Sequence, residues 1–141
     1  MQSFINLPPR QGFKQMDLIK VAFNKWLEVT DIVEIRKRVA KAVSVPNGAT
    51  PEQKRELMEL FKQRQAEQVG RNMEDIFNAA IREHPDETLE LVALICCVPP
   101  EEVDEHPMRE YLGTIVETLS NKEALDFFSL CVQLAQMGSQ G

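Results

Sequence analysis

The side chains best suited to chemistry in this 141-residue chain are three cysteines and two histidines. Cys96 and Cys97 are adjacent, and together with His106 and Cys131 they invite a metal or redox reading. The spacing argues against it. Thiols that share one ion are usually separated by at least two residues, whereas neighbours on a helix point about 100° apart. A pair of small apolar residues in a core helix is the simpler reading. His84 and His106 each precede a proline, where an imidazole caps or closes a helix. A general base would need a Ser or Cys nucleophile motif beside it, and neither histidine has one. The acids Glu101, Glu102, Asp104 and Glu105 lack the pattern of a calcium loop. No phosphate-binding loop or dinucleotide fingerprint occurs. We therefore expect no catalytic residue, no metal, no cofactor and no enzymatic activity.

Binding to other macromolecules is the alternative. The net charge is −6, unevenly spread: residues 1–70 hold twelve Lys and Arg against eight Asp and Glu, and residues 71–141 hold four against fourteen. Such polarity orients neighbouring subunits or steers a basic partner; it also arises simply from solvated helices. Arg36, Lys37, Arg38 and Lys41 form the one basic cluster. A few phosphate contacts on an acidic chain bind weakly and lose affinity quickly with salt, so nucleic acid is not the expected partner. A small nucleic-acid regulator using Lys37 and Lys41 remains a minor alternative. Trp26, Phe61, Met108 and Tyr111 are the candidate partner-binding residues, Trp26 because Trp is enriched at interface hot spots. Met58, Met73, Met108 and Met137 would serve either as adaptable contacts or as core filling.

The elements that must position these residues are helices. Met1–Phe13 reads as an extended arm, because Pro8-Pro9 interrupts it. From Lys14 to Val45 the apolar residues follow the helical repeat: Leu18, Ile19, Ala22, Phe23, Trp26 and Leu27, then Ile32, Val33, Ile35, Val39, Ala42 and Val43. Asp31 with Glu34 suggests a capping box that splits this span in two, and Glu34 with Arg38 an ion pair one turn apart. Pro46-Asn47-Gly48 is a turn. Thr50-Pro51-Glu52-Gln53 opens a charged helix with a capping box and proline at its first position; Gly70 is its expected stop. Asn72 caps the next helix, whose expected buried stripe is Ile76, Phe77, Ala80 and Ile81, and Asp86–Val98 is the expected central core helix.

Beyond Pro99-Pro100, His106-Pro107 starts a helix whose expected inner face is Met108, Tyr111, Leu112, Ile115, Val116 and Leu119. Ser120-x-x-Glu123 is a further capping box, leading into a last helix with Leu125, Phe127, Phe128, Leu130, Val132 and Leu134. The expected fold is all-α, a compact bundle of about five to seven helices. Its expected organisation is an arm at 1–13, one helical domain at 14–137 and a flexible tail at 138–141. No apolar run approaches the ~20 residues of a membrane helix, and Met1–Phe13 lacks the apolar core of a signal peptide. The thiols should be reduced and the chain cytoplasmic.

The block from Glu87 to Leu134 contains an apolar helix, the turn Cys-Cys-Val-Pro-Pro-Glu-Glu-Val (96–103), a proline-led helix and a Phe-Phe helix. In this it resembles the tail assembly chaperones of long-tailed bacteriophages and prophages. The resemblance implies a protein that coats the tape measure protein through apolar contacts, keeps it soluble and helps bring tail tube protein to it. It also implies host-cytoplasmic action outside the mature virion. Many members occur in a short and a frameshift-extended form, and an end such as Gly138–Gly141 suits either. The family offers no catalytic residues to carry over. Self-association is the companion expectation, and a helical adaptor with one defined partner is the rival reading.

Overall fold

The computed structural model describes residues 1–140, and for 138–140 the backbone alone. The fold is all-α. Among the described residues there are six α-helices, one π-helical turn, two short 3-10 turns and no strand. The helices are α1 (Pro9–Thr30), α2 (Ile32–Lys37), α3 (Pro51–Phe77), α4 (Pro85–Ile95), α5 (Met108–Leu119) and α6 (Lys122–Gln140). No described helix is long and apolar enough to cross a membrane. The chain divides into two compact units, residues Thr30–Glu83 and the remainder. The inserted unit contributes α2, α3 and the π turn.

In the larger unit the arm is shorter than its prolines suggest. A 3-10 turn occupies Phe4–Asn6, and α1 already begins at Pro9. A proline at the first helical position loses no hydrogen bond, and its φ is preset for the helix. Pro8-Pro9 therefore starts a helix where it was expected to prevent one. The turn is tied down firmly. Ser3 and Thr118 are both buried and their hydroxyls are hydrogen-bonded. Thr118 spends its one proton on the Thr114 carbonyl at 2.8 Å, so Ser3 must donate to Thr118. Phe4 packs against Phe127 and Phe128 with ring centroids 5.8 and 6.1 Å apart.

Of the expected stripe of α1, Ile19, Ala22, Phe23 and Leu27 are buried and Trp26 is half-buried, whereas Leu18, at the edge of the stripe, is 53% exposed. The core beneath α4 and α5 is Ala93, Cys96, Val98 and Tyr111, with Val92, Val103 and Ile115 against it. Helix α4 ends in a Schellman motif. The Val98 N–H donates to the Ala93 carbonyl at 2.9 Å and the Cys97 N–H to the Leu94 carbonyl at 3.2 Å. Cys97 is left-handed, with φ 56°, and Pro99 follows the motif. The expected Ser120 capping box is replaced by Asn121, whose Oδ1 accepts the Ala124 N–H at 2.9 Å. Ser120 instead closes α5 by donating to the Val116 carbonyl at 2.7 Å. Helix α6 continues through residues 138–140, which were expected to be tail; Gly141 lies outside the described residues.

In the smaller unit, Asp31 is left-handed with φ 56° and makes no cap, so the expected box with Glu34 is absent. Helix α2 ends at Lys37, well short of Val45. Val39, Val43 and Val45 are stiff β-branched residues, and Pro46 disfavours helix at Val45. Side chains of α3 satisfy the freed backbone: Asn72 Nδ2 donates to the Arg38 carbonyl at 2.9 Å, and the Ala40 N–H donates to Gln65 Oε1 at 3.1 Å. Asn72 is thus a buried strut within α3 rather than a cap. Arg38 pairs with Asp75 at 3.1 Å and not with Glu34, which faces Lys37 at 3.7 Å. The Thr50–Gln53 box forms as expected, with 3.1 and 2.9 Å bonds. Gly70 does not stop α3. A glycine inside a helix costs only about 1 kcal/mol, and α3 runs on to Phe77 before loosening into the π turn Asn78–Glu83.

Two outcomes test this description. Cys97→Gly removes a left-handed Cβ and should raise unfolding free energy by about 0.5–1 kcal/mol, whereas Cys97→Ala should not. Thr118→Val strands the buried Ser3 hydroxyl and should cost about 1–3 kcal/mol by denaturant melting; little or no loss would contradict the bond.

Candidate functional site

Sequence reasoning assigned the whole apolar arc of α5 to the interior. The structure buries only one edge of it. Tyr111 and Thr118 face inward, and the Tyr111 hydroxyl donates to the Val103 carbonyl at 2.7 Å. Met108, Leu112, Val116 and Leu119 remain 49–66% exposed. Spaced four, four and three residues apart, they form an apolar ridge about 16 Å long. Leu112 directly follows Tyr111, and Leu119 directly follows Thr118, so each is turned about 100° away from its inward neighbour. Gly113 lies beside the ridge with nothing within 4 Å of where a Cβ would stand.

The smaller unit carries a ridge of its own. Val69, Met73, Phe77 and Ile81 recur every fourth residue and are 48–61% exposed. The π turn takes more residues per turn than an α-helix, which keeps Ile81 in line behind Phe77. Both ridges contain a methionine. Met58, Met73, Met108 and Met137 are all at least 59% exposed, which sets aside core filling for all four.

The other candidate residues are placed as follows. Trp26 is half-buried, stacks on Phe23 at 5.9 Å, and donates its indole N–H to Thr88 at 2.8 Å. Phe61 is half-buried in the smaller unit. Met108 is exposed. Tyr111, at 4% exposure, is a core strut and leaves no ring surface for a partner. The ridge residues expected on buried faces, Leu112, Val116 and Leu119 on α5 and Phe77 and Ile81 in the smaller unit, carried a signal indistinguishable from that of a core face.

The larger unit also has a cleft of about 430 Å³ lined mainly by Phe4, Leu7, Phe13, Met16 and Phe127, with Asn121 and Glu123 among its polar residues. It holds no His or Cys side chain. No three His, Cys, Asp or Glu side chains among the described residues are grouped to hold a metal ion. His106 does not cap α5; its Nδ1 lies 2.8 Å from Glu110 one turn on. Of the basic cluster, Lys37 and Arg38 face Glu34 and Asp75.

The cysteines behave as packing groups. Cys96 and Cys131 are buried, Cys97 is half-buried, and all three are free thiols. Burial, with the neighbouring Cys97 thiol, pushes the Cys96 pKa up to about 11. Burial likewise raises Cys97 and Cys131. Thiolate is the reactive form, so these sites are poor nucleophiles near neutrality.

No family model matches the chain, and no curated protein or solved structure matches it.

The thiol environment gives a pH test. A folded-state pKa raised above the ordinary 9.0 means that folding favours the protonated thiol. The stabilising contribution of Cys96 should be complete below about pH 9 and be lost as pH rises through about 11. Chemical denaturation across that window should show the fall, and Cys96→Ala should flatten it. Unchanged pH dependence in the variant would contradict the assignment.

Proposed function

We propose that this protein is a tail assembly chaperone of a long-tailed bacteriophage or prophage. In that role it binds the tape measure protein in the host cytoplasm, keeps it soluble and helps bring tail tube protein to it, without catalysis and without joining the mature virion. The observation that carries this reading is the pair of exposed apolar ridges, on α5 and on α3 with its π turn. Exposed ridges at helical spacing suit the capture of amphipathic helices, and flexible thioethers tolerate varied partners. The helix order of residues 87–134 supports the same reading by resemblance.

Magnitudes favour a long, repetitive client. A fully buried large apolar side chain contributes about 1.5–3 kcal/mol, and the four α5 ridge residues are already partly covered. Association itself costs about 4–15 kcal/mol. One ridge on one helix therefore binds weakly, while several copies on one extended client gain from effective concentration. A long helical protein offers that repetition, and self-association of the chaperone would extend it.

Co-expression tests the proposal. The tape measure protein encoded in the same gene cluster should move from the insoluble to the soluble fraction when this chain is present, and the two should co-purify. A tape measure protein equally insoluble with and without the chain would overturn it. Capture of a single different partner, with the tape measure protein untouched, would favour a helical adaptor.

A further inference from the structure

We propose that two copies of this chain pair through residues 39–45 of the smaller unit as a two-stranded antiparallel β-ribbon. The proposal stands independently of the chaperone reading. It rests on an open strand edge. Residues 38–46 run without helix, turn or bend. The Ala40 N–H is turned to Gln65 of α3. In an extended chain the backbone groups of successive residues alternate between the two edges. Those of Val39, Lys41, Val43 and Val45 therefore share the edge away from Gln65. Each of the four brings one N–H and one C=O, and none of these groups has a hydrogen-bond partner among the described residues. The edge has definite ends. The Arg38 N–H is taken by the Ile35 carbonyl and the Arg38 carbonyl by Asn72, while Pro46 has no N–H to give.

A second copy is the occupant that fits. Open strand edges template the pairing of another chain, and no strand among the described residues covers this one. Val39, Val43 and Val45 suit a strand, and Val39 and Val45 are 71% and 54% exposed. An identical edge is also complementary in register. Antiparallel pairing about Ala42 sets Val39 opposite the second copy's Val45 and Lys41 opposite its Val43. Every N–H and C=O on the two edges then finds a partner, and the ribbon is two-fold symmetric. Other registers are worse. Pairing about Lys41 sets the two lysines directly opposite each other, which disfavours it. Pairing about Val43 sets Val39 against Asn47, which lies in the turn. A one-residue slip turns one copy's open edge to the wrong side of the other.

Sedimentation of the full chain from about 5 to about 500 μM should show a reversible dimer whose share rises with concentration. The amide-I infrared band of a strand ladder should grow in parallel. Lys41→Pro removes an outward N–H and should weaken dimerisation at least about tenfold. Lys41→Ala keeps that N–H and should dimerise as wild type does. Lys41 is exposed and makes no ion pair, so an unchanged thermal melt is expected for both variants. Leu112→Asp combined with Val116→Asp should leave the dimer intact, because the α5 ridge takes no part. Register is read by cross-linking, which needs no proline. Ala42→Cys faces its own copy with Cα atoms about 4.5 Å apart and should form an intermolecular disulfide on mild oxidation. Ala40→Cys faces Ser44 and should not. Wild type, whose own thiols are buried or half-buried, sets the background.

A chain that stays monomeric throughout overturns the proposal. So does a dimer that survives Lys41→Pro, a dimer lost in the α5 variant, or Ala40→Cys that cross-links as readily as Ala42→Cys. The co-expression assay separates this proposal from the chaperone reading. A ribbon dimer beside an insoluble tape measure protein upholds the ribbon and overturns the chaperone. A monomeric chain that solubilises the tape measure protein does the reverse.

Discussion

The rotation of α5 about its own axis decides what the larger unit presents to its surroundings. Tyr111 and Thr118 set that rotation. The Tyr111 hydroxyl reaches the Val103 carbonyl, and Thr118 links Thr114 to Ser3. Both side chains bury polar atoms, and a buried hydroxyl without a partner costs about 1–3 kcal/mol. A turn of the helix toward Leu112 would bury more apolar surface, but it would break both sets of bonds and release the N-terminal turn. The polar anchors therefore hold the apolar arc partly in water. Exposed hydrophobic surface follows from how the fold is locked, and Met108, Leu112, Val116 and Leu119 are its visible result.

The same logic joins distant parts of this unit. Ser3 fixes the turn that carries Phe4, and Phe4 seats the Phe127 and Phe128 rings of α6. Gln2 donates its N–H to the Cys96 carbonyl at 3.3 Å, just before the left-handed Cys97. The residues that first suggested chemistry thus serve geometry. Cys96 fills the core, Cys97 turns the chain out of α4, and Pro99 keeps the helix from resuming. Their raised pKa values are consequences of burial and mark no reactive centre.

Much of the fold was legible in sequence because it is written in local signals. The Thr50–Gln53 capping box, the Pro46–Gly48 turn and the inner stripe of α1, Leu18 excepted, depend on residues a few positions apart and stand where expected. The failures required non-local information. Asn72 resembles a cap until the Arg38 carbonyl is seen beside it, and Gly70 resembles a stop until α3 proves long enough to absorb it. The exposed apolar ridges were least legible. A hydrophobic stripe predicts that a face is apolar and does not say whether this chain or another covers it. On α5 the signal lay in the polar residues, since Thr118 occurs on the same line as Tyr111 and competes with Leu112 and Leu119 for the interior. Of the four candidate partner-binding residues, only Met108 lies on a ridge.

The central claim is that the fold turns Tyr111 inward and Met108 outward, where a client helix covers it. Hydroxyl-radical footprinting with mass spectrometry, on the chain alone and with the tape measure protein, reads both halves at once. Met108 should oxidise rapidly in the free chain and be protected in the complex, with Tyr111 unmodified in both and half-buried Met16 unchanged as the internal reference. Rapid modification of Tyr111 in the free chain, or oxidation of Met108 that the client leaves unaltered, would contradict the account.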